Sequence, residues 1–130
     1  MKIQQKRIGN LMFRSATYLC DPPERASWSI DMFYENHYYA HKDEYPEDPT
    51  DSNYRIDPKY HYHRIHKSCF ETEECSFTIA SFEYDAHESC WEVHFVGNRP
   101  IEYLNTPELR EAFWELLKYG DEQLSKEEDK

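Results

Sequence analysis

The chain has 130 residues, a mass of 15.8 kDa and a formal net charge of −11. That length suits one domain with a real core, and leaves no room for two ordinary ones. Leu, Ile, Val and Phe together number 23, about 18% and just under the ~20% below which a charged chain is suspected of disorder; 11 Tyr and 3 Trp offset this, so the expected core is aromatic rather than aliphatic.

Residues 2–8 and 11–20 read as two strands joined at Gly9-Asn10, a two-residue hairpin signal. Pro22-Pro23 ends that pair. Trp28, Ile30, Met32 and Tyr34 then alternate with Ser29, Asp31 and Glu35, which is the period of a strand with one apolar face. Residues 36–58 hold Pro46, Pro49 and Pro58, six acids and almost no aliphatics. They are expected to form a long loop, and long loops without structure are uncommon unless functional or disordered. A strand over 59–66 would emerge from it.

Residues 76–85 and 90–96 form a second hairpin. Phe77 and Ile79 share one face, whereas Phe82 and Tyr84 have the opposite parity. That change predicts either a bulge or a strand apolar on both sides. Gly97-Asn98-Arg99-Pro100 reads as a turn, and 101–104 as a short last strand. Thr106 is a suitable N-cap and Pro107 suits the first helical position. Leu109, Ala112, Phe113, Leu116 and Leu117 follow at i, i+3, i+4, i+7 and i+8, one apolar stripe. Gly120 would end this helix, or the helix would continue through Leu124; residues 125–130 read as a charged tail.

The expected architecture is α+β: a mostly antiparallel sheet of five to six short strands with one C-terminal amphipathic helix packed on one face. It spans residues 1–124 as a single domain, with the Tyr/His/Pro-rich loop at 36–58 and the tail at 125–130. The face carrying Trp28, or that carrying Trp91, would receive the helix.

No segment approaches the ~20 apolar residues of a membrane helix, and the N-terminus has no apolar signal-peptide region. A cytoplasmic protein is expected, with Cys20, Cys69, Cys75 and Cys90 as reduced thiols. Charge is uneven. Residues 1–68 balance to zero, and residues 69–130 carry the whole −11. This acidic half would repel phosphate backbones, so no direct nucleic-acid partner is expected. A basic protein surface is the partner that suits it.

The densest run of metal-ligating side chains is His61, His63, His66 and Cys69, followed by Cys75. On a strand, His61 and His63 point to one side about 6.5–7 Å apart, and imidazole and thiolate both suit zinc. The gap from Cys69 to Cys75 is wider than the usual knuckle, and a polar surface strand would show the same residues. Cys69 with His66, or Cys90 with His87 or His94, could form a thiol–imidazole pair, but a catalytic cysteine also needs a lowered pKa and an oriented base. With 26 acids, some carboxylate pair always looks plausible. Only three glycines exist, and none lies in a phosphate-binding loop.

Tyr38, Tyr39, Tyr45, Tyr54, Tyr60 and Tyr62 crowd one window. Tyrosine offers large contact area at low entropic cost, and the same rings could cover a core poor in aliphatics. Together these features predict a small acidic, non-enzymatic interaction protein, accessory or inhibitor-like. It would bind a basic partner through those tyrosines and through Glu71, Glu73, Glu74 and Glu88, without a cofactor. The alternative is a zinc-binding domain, structural or hydrolytic, built on His61, His63, His66, Cys69 and Cys75.

Overall fold

The computed structural model describes residues 5–15, 27–59 and 64–128. In chain order these residues form β1 (Lys6–Ile8), β2 (Leu11–Ser15), β3 (Trp28–Glu35), α1 (His37–Ala40), a 3-10 turn (Lys42–Glu44), β4 (Tyr54–Ile56), β5 (Arg64–His66), a second 3-10 turn (Lys67–Cys69), β6 (Glu74–Asp85), β7 (Cys90–Phe95), α2 (Arg99–Tyr103) and α3 (Pro107–Glu128). The expected α+β architecture is present: a five-stranded antiparallel sheet in the order β1-β2-β3-β6-β7, a second sheet of β4 and β5, and a C-terminal helix packed on the sheet. The chain divides into two compact units, Met1–Phe33 with Ser76–Lys130, and Tyr34–Cys75.

In the larger unit, the first hairpin closes at Gly9, whose φ of +59° is open to glycine at little cost. A positive φ at the first central residue alone is the mark of a type II′ turn, which matches the right-handed twist of the strands. The register then pairs Leu11 with Met32, Phe13 with Ile30 and Ser15 with Trp28, so these apolar residues share one face. The expected strand residues 2–4 and 16–20 lie outside the described residues.

Leu11, Phe13, Ile30, Ile79, Phe82 and Leu116 are fully buried. Phe13 is the hub of an aromatic core. Its ring stacks on Trp28 at 5.2 Å between centroids and meets Phe82 and Tyr119 edge-on at 5.4 and 5.6 Å. From Ala80–Phe95 to Asp85–Cys90 the register of β6 with β7 runs unbroken, and residues 79–82 are buried consecutively, so both sides of the strand are covered there.

Helix α3 begins as its sequence dictates, with the Thr106 hydroxyl accepting from Leu109 N–H at 3.2 Å. It does not stop at Gly120. The apolar stripe continues through buried Gly120 and Leu124, and the helix extends to Glu128, into the segment expected as a tail. A Cβ on Gly120 would lie 2.8 Å from both Phe13 Cε2 and Phe82 Cζ. The glycine is therefore a point of close helix–sheet approach rather than a terminator. The expected strand over 101–104 is instead the short helix α2, which has a proline in its first turn, where its fixed φ suits the helix.

In the smaller unit, residues 36–58 carry a helical turn, a 3-10 turn and a strand in place of a structureless loop. The acids that suggested disorder build turns: Asp48 accepts from Thr50 N–H at 2.8 Å, Asp51 from Asn53 N–H at 2.9 Å and Asp57 from Lys59 N–H at 2.8 Å. Strand β4 pairs with β5, Tyr54 opposite His66 and Ile56 opposite Arg64. Of the strand expected over 59–66, Arg64–His66 forms, and residues 60–63 lie outside the described residues. Tyr38 anchors the unit, its ring 5.4 Å from Tyr45 and 4.9 Å from Phe70. Buried Asn36 closes it: Nδ2 donates to the carbonyls of Cys69 and Thr72 at 2.7 and 2.8 Å, Oδ1 accepts from Tyr38 N–H, and the backbone N–H donates to Glu73 O.

Candidate functional site

Strand β7 is an edge of the large sheet among the described residues. Trp91, Val93 and Phe95 alternate onto the helix-facing side. Trp91 is half-buried beside Tyr84, 5.5 Å between centroids. Toward the end of the strand the cover thins: Val93 is 42% exposed and Phe95 56%, although Phe95 still touches Phe113 at 6.1 Å. Trp114 lies off the apolar stripe of α3 and is 59% exposed. Val93, Phe95, Trp114, Leu117, Lys118 and Asp121 line a shallow groove of about 270 Å³. On the other face of β7, His94 Nε2 sits 3.4 Å from Glu92 and 3.8 Å from Glu83, so this edge is acidic. Lys118 is engaged by Glu115 at 2.9 Å.

The sheet face opposite the helix carries a depression of about 610 Å³ around Arg14 and Asp31. Arg14 Nε donates to Asp31 Oδ2 at 2.6 Å and Nη2 to Ser76 Oγ at 2.9 Å. Its guanidinium also lies over the Phe33 ring. This pairing lets a carboxylate sit almost fully buried in the sheet.

In the smaller unit the sequence-predicted residues separate. His61, His63, Tyr60 and Tyr62 lie outside the described residues. Cys69 and Cys75 are free thiols. Burial, then the neighbouring Cys69, pushes the Cys75 thiol up, which keeps it protonated and a poor nucleophile. His66 Nδ1 is occupied locally, accepting from Ser68 N–H at 3.2 Å. Among the described residues, His66, Cys69 and Cys75 do not close into a three-ligand group.

The tyrosines divide as well. Tyr38 and Tyr45 are 6% and 7% exposed, so burial takes both out of a partner's reach and makes them the unit's core. Tyr54 is half-buried beneath the Arg64 guanidinium, 3.8 Å from its ring. Tyr39 is exposed at 38%. Glu71, Glu73, Glu74 and Glu88 are all exposed, Glu88 on the β6–β7 turn of the larger unit and the other three in the smaller one.

A grouping that the sequence reading did not single out lies at the start of the smaller unit. His37 and His41 stack with centroids 4.1 Å apart, and Glu44 reaches both. A cavity of about 520 Å³ is bordered by His37, Glu44, Tyr45, Asp57, Pro58 and Lys59. Burial, then the charges of Asp57 and Glu44, raises the Tyr45 phenol pKa, so this hydroxyl stays protonated. Deeper in the same unit, two hydrogen bonds from Thr50, then Arg64, hold the Asp48 carboxyl below its ordinary range.

The chain matches no family model, no curated protein and no solved structure. No helix among the described residues is long and apolar enough to cross a membrane.

Proposed function

We propose that the chain is a non-enzymatic interaction protein that docks an extended basic segment of a protein partner along β7, seating an aromatic or aliphatic anchor between Phe95 and Trp114. The observation that carries this reading is the pairing of a sheet edge with an exposed Trp–Phe groove. Edge strands accept an added strand through main-chain hydrogen bonds, and side-chain pockets then confer specificity. Tryptophan is among the residues that most often dominate binding energy.

Charge selects the occupant. The sequence from residue 69 onward carries the full −11, and Asp121, Glu92 and Glu83 surround the groove and strand. A second copy of this chain would bring the same sign to the same edge and be repelled, whereas Lys and Arg on a partner strand complement it. The exposed Glu88, on the β6–β7 turn of the same unit, adds to the field that steers such a partner.

A direct test uses synthetic extended peptides alternating Lys or Arg with Leu or Phe, read by fluorescence anisotropy. Binding is expected to weaken as salt rises from about 50 to about 300 mM. Trp114→Ala is expected to weaken it by roughly 30-fold, the equivalent of a 2 kcal/mol hot spot. Equal binding by peptides with Glu in place of Lys, or no change in Trp114→Ala, would refute the assignment.

A further inference from the structure

We infer that the smaller unit holds a divalent transition-metal ion, zinc by the chemistry of its donors, on His37, His41 and Glu44. This proposal is independent of the docking groove. The three residues fall at i, i+4 and i+7 across one turn of α-helix that leads into one turn of 3-10 helix, a spacing that gathers them on one side. One ligand atom from each lies within 4.8 Å of the other two. Glu44 Oε2 is 3.4 Å from His41 Nδ1 and 3.9 Å from His37 Nε2. Zinc bonds of about 2.0–2.1 Å at tetrahedral angles place ligand atoms about 3.3–3.4 Å apart. One pair already has that spacing, and small rotations of exposed side chains bring in the third.

Two observations distinguish this group from a chance surface cluster. The first is the orientation of His37. Its Nδ1 is hydrogen-bonded to the Tyr45 hydroxyl at 2.6 Å, which leaves Nε2 as the atom facing Glu44. Metal-ligating histidines characteristically donate their other ring N–H to an oxygen acceptor, most often a carboxylate, carbonyl or water, which fixes tautomer and ring direction; in the Nδ1–H tautomer the Tyr45 oxygen takes that place. Tyr45 is itself buried and edge-packed on Tyr38, so the support is rigid. The second is the backbone. Asn36 caps α1 through Tyr38 N–H and ties it to the carbonyls of Cys69 and Thr72, so the ligand-bearing turn is set before any ion arrives.

Two imidazole nitrogens and one carboxylate oxygen suit zinc among the divalent ions, since calcium and magnesium prefer all-oxygen shells. Three protein ligands leave a fourth position for water, the ligand count of an open rather than a closed zinc site. The cavity bordered by His37, Glu44 and Lys59 has room for that water or for a small anion.

The test uses the full chain, stripped of metal with a chelator and dialysed. It is titrated with zinc chloride by calorimetry and with cobalt(II) by visible absorption. One equivalent is expected to bind, with the intense absorption of four-coordinate cobalt. Tyr45→Phe is expected to weaken zinc by about 10–100-fold, and His41→Ala by about 100-fold or more. Circular dichroism checks that each variant is folded, and Glu44→Gln replaces His41→Ala if the latter is not. Uptake below about a tenth of an equivalent overturns the proposal, as does zinc affinity unchanged in both His41→Ala and Glu44→Gln. Loss of the ion in His61→Ala but not in His41→Ala also overturns it, by moving the metal to the other histidine run.

Discussion

Replacing Gly120 by alanine tests how closely α3 rests on the sheet. In an exposed helix interior the change would be stabilising by about 0.8–1 kcal/mol, because alanine is the better helix former. Here the new methyl would lie 2.8 Å from two ring carbons, Phe13 Cε2 and Phe82 Cζ. Neither ring has room to retreat: Phe13 is fully buried, stacked on Trp28 and flanked by Tyr119, and Phe82 is 1% exposed. Overpacking in such a setting costs about 1–3 kcal/mol. The two terms have opposite sign, and with neither ring able to retreat the steric one lies in the upper part of its range, about 2–3 kcal/mol, so Gly120→Ala is expected to destabilise by about 1–2 kcal/mol. With a urea m-value near 2 kcal/mol/M, the unfolding midpoint should fall by about 0.5–1 M at constant slope. Phe13→Leu removes one obstructing ring, so the alanine should cost less in that background, a coupling of about 0.5 kcal/mol or more. A midpoint that rises in Gly120→Ala, or a strictly additive double mutant, would refute the close-approach argument.

Two further outcomes follow from the packing and the charges. Phe113→Ala empties a buried position under α3 beside Phe95 and is expected to cost about 3–5 kcal/mol, read from the same denaturation curves. The Asp48 carboxyl is held below its ordinary pKa by Thr50 and then Arg64. Its contribution is therefore fully present at neutral pH and is lost as pH falls below about 4, through the folded-state value. Hydrogen-exchange protection across residues 46–57, taken relative to the intrinsic rate at each pH, should fall in that acid range, and Asp48→Asn should flatten the dependence at the expense of stability near neutrality. Protection unchanged in acid would show that the Thr50 and Arg64 contacts do not hold this turn.

The hairpins and α3 were legible in the sequence because each buries one face, and burial writes its period into the residues. Leu11, Phe13, Ile30 and Met32 alternate, and Leu109 to Leu124 recur with the helical stripe. Helix α2 was not legible, because Pro100 next to Gly97-Asn98 reads equally as a turn; only the chain's continued helical path distinguishes the two. Residues 36–58 misled for a different reason. Composition counts Asp48, Asp51 and Asp57 as solvated charge, whereas each accepts a backbone N–H two residues on and so supplies local order that needs no aliphatic core.

The candidate sites were partly visible. Trp114 stands off the apolar stripe of α3, a sign of an aromatic with no core to enter. His37, His41 and Glu44 have helical spacing, a signal that needs α1 to be recognised as helix first. What the sequence could not yield is the direction of His37, because that depends on Tyr45, eight residues away and folded back against it.

The Asn36 N–H bonded to Glu73 O has a consequence for the chain's modularity. Strands β3 and β6 are neighbours in the sheet, so residues 36–73 amount to a hairpin connection that has grown a fold of its own, with its two ends clasped together. Among the described residues, the main hydrophobic cluster of the larger unit takes none from Tyr34–Cys75. A tight turn of about four residues could therefore replace the whole connection, at a loop-closure entropy about 2 kcal/mol smaller than that of a flexible loop of the original length. The acidic edge strand and its groove would be carried by the shortened chain, and the histidine cluster by the excised piece. The proposed docking edge and the proposed ion site could thus be inherited, lost or transplanted separately.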